Sequence, residues 1–163
     1  MHPRPTASSL VIGQVVVTAY MTGVIWLVQL VHYPLMAGWP HGDFGAWETR
    51  HRALIAPVVM PAMLAEGACA ALLIVRPPRG VARWLSWLGV ALLAGIWAST
   101  AMIQIPCHEA LSAGWDAAVH ERLVASNWIR TVLWSARLVV AVAIARATIA
   151  VPPGGPAGSD PAA

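Results

Sequence analysis

Charge is scarce in this chain. Only 10% of its 163 residues are Asp, Glu, Lys or Arg, where a soluble domain carries about 25%. Lysine is absent, so all of the basic residues are arginines. With 58% of the residues hydrophobic, too little polar material remains to cover a water-soluble globule. The arginines are dispersed, with no basic run longer than the segment 76–83. That excludes the continuous basic face, interleaved with aromatics, that a nucleic-acid binder needs. A net charge of +3 reads instead as a signal of membrane orientation. Cysteine is nearly missing as well. Cys69 falls inside one apolar run and Cys107 at the end of another, so two thiols at different depths cannot close a disulfide of ordinary geometry.

What is there in abundance is apolar length. Stretches at residues 10–31, 53–75, 85–105 and 128–150 each run to about 20 residues, enough for a helix to cross roughly 30 Å of hydrocarbon. The first is too long for a signal-peptide core and lacks a small-residue cleavage site. Pro57 and Pro61 lie in the second, where a membrane helix tolerates them. Short connectors then predict an all-α, integral membrane, up-down-up-down four-helix bundle. Its domain is expected over residues 10–150, after an N-terminal cytoplasmic segment (1–9) and before a disordered Pro/Gly-rich tail (151–163). Arg4, Arg76, Arg79, Arg83 and Arg146 fall on one side, against Arg50, Arg52, Arg122 and Arg130 on the other. The bias predicts a bacterial cytoplasmic (inner) membrane protein with both termini cytoplasmic. Trp39, Trp47, Trp84, Trp87, Trp115 and Trp128 lie near span ends, as in an aromatic belt, and Trp26, Trp97 and Trp134 lie deeper.

The chain also carries a short internal duplication. His32-Tyr-Pro-Leu-Met-Ala-Gly38-Trp39 follows the first span and His108-Glu-Ala-Leu-Ser-Ala-Gly114-Trp115 follows the third, with Gln29 and Gln104 just upstream. A two-helix repeat of this kind implies a pseudo-twofold axis along the membrane normal. Spans one and three become diagonal partners, with His32 and His108 facing each other across the bundle mouth. His41, His51 and His120 belong to the connectors at the same end. At 100° per residue, Gln14, Thr18, Met21, Gln29 and His32 share one face of span one. Glu48, His51 and Glu66 share a face of span two, and His120, Asn127, Arg130, Trp134 and Arg137 one of span four. Charged groups facing lipid are costly, so these stripes predict a polar interior seam opening into a His/Glu-rich mouth.

Glu48 and His51 stand at i and i+3, the Glu-x-x-His pattern of four-helix metal proteins. With His32 and His108 they form a candidate metal set (His32, Glu48, His51, His108), for which iron, another transition metal or haem are the candidate groups. Set against this, Glu48 is also placed to pair with Arg52 at i+4, His41 and His120 read as interfacial residues, and Cys107 as a packed thiol. Glu66 and Arg137 read as a structural ion pair, with a proton-path role for Glu66 as the alternative.

The His-Tyr-Pro after span one, Ile105-Pro106 after span three and Asn127-Trp-Ile-Arg130 opening span four resemble the small four-helix membrane proteins of the anthrone-oxygenase-like group. The resemblance covers residues 10–150 and implies oxidation of a reduced polycyclic aromatic, with His32, Asn127 and Arg130 at the matching positions. His108-Glu109, Glu48 and His51 depart from that pattern. The expected function is a membrane oxidoreductase or oxygenase acting on a lipophilic aromatic or quinone-like small molecule. His32, His108, Asn127 and Arg130 are its candidate catalytic residues: the histidines as ligands or base, Asn127 and Arg130 orienting a substrate oxygen. The alternatives are a small transporter or proton-coupled membrane protein, and a non-catalytic structural subunit.

Overall fold

The computed structural model describes residues 7–150. Arg4 and the tail expected to be disordered lie outside the described residues. Helix α1 (Ala7–Leu27) runs through a widened turn (Val28–His32) into the short α2 (Tyr33–Met36). A 3-10 turn (His41–Asp43) leads to α3 (Phe44–Val75). Then come α4 (Arg83–Ser99), a second widened turn (Thr100–Gln104), α5 (Ile105–Ser112) and finally α6 (Ala117–Ile149). They assemble into four spans, Ser8–Met36, His41–Val75, Arg83–Ser112 and Ala117–Ile149, each long and apolar enough to cross a membrane. The described chain has no strand. It is an all-α four-helix bundle and an integral membrane protein.

The spans outrun the apolar stretches. His51, His108 and His120, expected in connectors, sit on α3, α5 and α6. Their side chains turn into the bundle, so polarity at these positions marks an inner face and not a loop. Asp116 caps α6, its carboxylate accepting from the Ala118 and Val119 amides at 2.9 and 3.0 Å, which satisfies donors that a helix start leaves open.

Both widened turns precede a proline. Pro34 and Pro106 lie near the starts of α2 and α5. Lacking an N–H, each would leave a carbonyl four residues back unserved and crowd it with its ring. One extra residue in the turn relieves this: the Tyr33 amide bonds to the Val28 carbonyl, and the Ile105 amide to the Thr100 carbonyl, each five residues back. The duplication therefore extends to the backbone, but in two frames. The prolines align one way and the Gly38/Gly114 turns another, because α5 has 8 residues where α2 has 4. His32 ends its widened turn, as Gln104 ends the other, and His108 lies one helical turn further on.

Helix α6 packs against α1 and α4, and α3 packs against α1, α4 and α5, so spans one and three are diagonal. The burial pattern inverts that of a soluble protein. Ile12, Val16, Leu54, Leu64, Val132 and Val139 are exposed, whereas Gln14, Thr18, Gln29, Glu48, Glu66, Gln104, Asn127, Thr131 and Arg137 are buried. Lipid is as apolar as leucine, so leucine gains nothing by turning inward, and polar groups gain partners there.

Candidate functional site

Two polar layers are stacked inside the bundle. In the deeper one, Arg137 Nη2 donates to Glu66 Oε2 at 2.8 Å. Thr18 donates its hydroxyl to Glu66 Oε1, and the Gln14 amide lies against the Arg137 guanidinium, which donates to its oxygen once the amide is turned to satisfy both groups. Gly89 gives the guanidinium room, since a Cβ there would land on Arg137 Nη1. Both charges are almost wholly removed from solvent and lipid, and each answers the other.

The upper layer lies at the mouth. Glu48, fully buried, accepts from His108 Nδ1 at 2.6 Å. His108 Nε2 meets the Tyr33 hydroxyl at 3.0 Å. An ionised carboxylate only accepts, so the His108 proton sits on Nδ1 and Nε2 is left to accept from Tyr33. The Arg130 guanidinium lies against the same Tyr33 hydroxyl, and its Nη1 donates to Asn127 Oδ1 at 3.3 Å. Asn127 in turn donates to Gln29 Oε1 at 2.8 Å. His120 Nε2 bonds the Tyr33 carbonyl at 2.9 Å, fixing the backbone that carries the phenol. The result is a carboxylate–imidazole–phenol chain drawn from α2, α3 and α5, with a guanidinium from α6 at its end.

Helix contact holds this chain together. Gly45 on α3 and Ser112 on α5 are in such close approach that a Cβ on Gly45 would stand 2.8 Å from the Ser112 carbonyl oxygen. Glu48 lies three residues beyond Gly45 and His108 four before Ser112, so the close crossing seats the acid on the imidazole. Arg52, the i+4 candidate partner of Glu48, instead donates to Ser112 Oγ at 3.2 Å and pairs with Glu109 at 3.7 Å.

The histidines gather differently from the expected diagonal pair. His51 stands between the other two, its ring 4.3 Å from that of His32 and 5.8 Å from that of His108. His51 and His32 both stack on Trp47, at 5.6 and 5.9 Å. The gap a haem would need between His32 and His108 is thus filled. As ion ligands, His32, Glu48, His51 and His108 are close together, but both nitrogens of His108 and one oxygen of Glu48 are already engaged. Among the described residues no three His, Cys, Asp or Glu side chains converge as an ion site. The donor set does not fit a preformed metal centre. Glu48 Oε2 and His32 Nε2 are buried without a partner, so the cluster keeps hydrogen-bonding capacity in reserve. His41 lies apart, stacked on Trp115 at 4.7 Å.

A cavity of about 350 Å³ opens directly on the chain. Tyr33, His51, Arg52, His108 and Arg130 line its upper end, and below them the walls are Val24, Ile25, Val28, Ile55, Val59 and Met63 with their neighbours. Of the four residues singled out as catalytic candidates, His108 and Arg130 line it. Asn127 is behind Arg130, fully buried, and positions the guanidinium. His32 is packed on Trp47 and His51. Tyr33, which sequence reasoning passed over, is the residue that joins His108 to Arg130. Its signal was the His-Tyr-Pro motif itself, because a buried tyrosine hydroxyl at the start of a helix must find a partner.

No family model, curated protein or solved structure matches the chain.

Proposed function

We propose that this protein is a membrane oxidoreductase of the oxygenase type, acting on a lipophilic aromatic that bears an enolisable or phenolic oxygen. The observation that carries the reading is the Glu48–His108–Tyr33 chain (2.6 and 3.0 Å) at the polar end of an apolar cavity. Glu48 holds the His108 tautomer, and Tyr33 takes the substrate proton as it passes its own hydroxyl proton to His108 Nε2, which becomes the imidazolium. Arg130 beside the Tyr33 hydroxyl favours the oxyanion that forms. Removal of that proton turns an anthrone-like CH2 group into an electron-rich enolate, which dioxygen oxidises. Overall a CH2 group and O2 become a carbonyl and water. The apolar walls admit the substrate from the bilayer and keep water from the enolate.

In the same reading the arginine bias puts this mouth on the extracytoplasmic side of a bacterial inner membrane, with both termini cytoplasmic. The test is turnover of an anthrone by purified protein, followed as dioxygen uptake. His108→Ala, Tyr33→Phe and Glu48→Gln should each slow it by about 10²–10⁴-fold, the usual contribution of a positioned acid–base group. Uptake equal to that of protein-free micelles, or undiminished in all three variants, overturns the reading.

A further inference from the structure

The cavity is far longer than its polar end requires. Three helices measure it independently. On α3 it runs from His51 to Met63, on span one from Tyr33 to Met21, and on span three from His108 to Trp97. At 1.5 Å per helical residue these are each about 16–18 Å. Spread over that length, 350 Å³ makes the cavity elongated, not compact.

Its polarity is confined to one end. Thr100 and Gln104 line the middle, but their hydrogen bonds are spent within the protein. Thr100 donates to the Ile96 carbonyl at 2.8 Å, and Gln104 bonds Ser99 at 3.0 Å and Ser126 at 3.1 Å. What faces the channel there is hydrocarbon. The floor is Met21, Met63 and Trp97, closed by the packed cluster of Met21, Ile25, Ala70, Leu93, Ile96 and Trp134. Gly67 lets Trp97 lie across it, since a Cβ on Gly67 would be 3.0 and 3.2 Å from the indole carbons.

We infer that the ligand of this cavity is a tailed amphiphile: an aromatic ring that bears the enolisable or phenolic oxygen of the proposed substrate, held at Tyr33, His108 and Arg130, with one alkyl or isoprenoid chain running down to a floor set by Trp97 and Met63. The inference rests on the proposed site and adds its substrate class. A compact fused-ring aromatic without a tail fills the polar end only and leaves the lower channel empty, whereas a ring with a single chain matches the length and the one-ended polarity. Gly67 and Trp97 are then specificity determinants, fixing how long a tail is accepted.

The probe is a series of 4-alkylphenols of increasing chain length, each with a terminal bromine that quenches tryptophan fluorescence on contact, added to full-length protein in detergent. Quenching displaced by the unbrominated phenol of the same length is the binding signal. It should peak at the chain length that spans the channel, and Trp97→Phe should remove at least half of that peak. Met63→Trp, which raises the floor, should move the peak to shorter chains. Arg130→Gln should weaken binding of every length, about tenfold, without moving the peak. A displaceable signal that is the same at all lengths, or a peak indifferent to both floor variants, overturns the tailed ligand and favours a compact one. Because the readout is equilibrium binding, a length-dependent peak stands even if anthrone oxidation is not observed. A flat profile alongside oxidation would sink this inference alone.

Discussion

Glu66 and Arg137 show what a single side chain can dictate inside a bilayer. Each is buried, and each would be an isolated charge without the other. Removing one partner of a buried pair typically costs about 3–5 kcal/mol, because the remaining charge is left uncompensated. Glu66→Gln should therefore destabilise the detergent-solubilised protein by that amount, and adding Arg137→Gln should recover part of it. Thermal or denaturant unfolding of the four proteins in the cycle measures the coupling, and strictly additive losses would show that none exists. This pair was legible in the sequence because an acid and an arginine stood deep in the membrane on inward stripes of different spans. Glu48 was half legible. Its burial on the His51 face followed from periodicity, but its local candidate partner was Arg52, and the bond it makes is to His108, 60 residues away. Local spacing along a helix says nothing about which span will bring the better partner. The candidate metal set was legible as a gathering of residues and not as a coordination geometry, since Tyr33 and Glu48 take up the His108 nitrogens.

Among the elements, the meeting of α3 and α5 decides the geometry of the site. Gly45 permits the close crossing that seats Glu48 on His108. Gly45→Ala must push the helices apart, with a cost of about 1–3 kcal/mol for overpacking and a loss of turnover comparable to Glu48→Gln. Gly42→Ala, where a Cβ meets nothing within 4 Å, should change neither; parallel unfolding and dioxygen-uptake measurements on the two variants check this. The number of spans could be read from apolar length alone, their up-down order from short connectors, and the diagonal placement of spans one and three from the repeat. The widened turns before Pro34 and Pro106 could not, although both prolines were in view. Periodicity assumes 100° per residue throughout, and one extra residue in each turn breaks that count. It also hid the fact that the duplication has two frames, offset by the extra turn of α5.

At the scale of the molecule, the bundle presents hydrocarbon to the lipid, keeps its polar groups inside, and opens its histidine-rich end to one side of the membrane. Which side is set by a narrow arginine margin, so labelling should decide it. In a background without Cys69 and Cys107, a cysteine at Ala113 should react with an impermeant reagent in intact cells and one at Ala82 should not; the reverse would invert the topology. Function is the level least legible in the sequence, because the proposed chemistry rests on Tyr33 and on contacts among three spans. The central claim is that the Glu48–His108–Tyr33 chain is a working base at the end of a lipophilic cavity. Proton abstraction can be measured without its oxidative sequel, by following deuterium incorporation from heavy water into the acidic CH2 of an anthrone under anaerobic conditions. The account predicts exchange well above that in protein-free micelles, falling by about 10²-fold or more in His108→Ala. Exchange at the micelle rate, or exchange that survives His108→Ala undiminished, would contradict it.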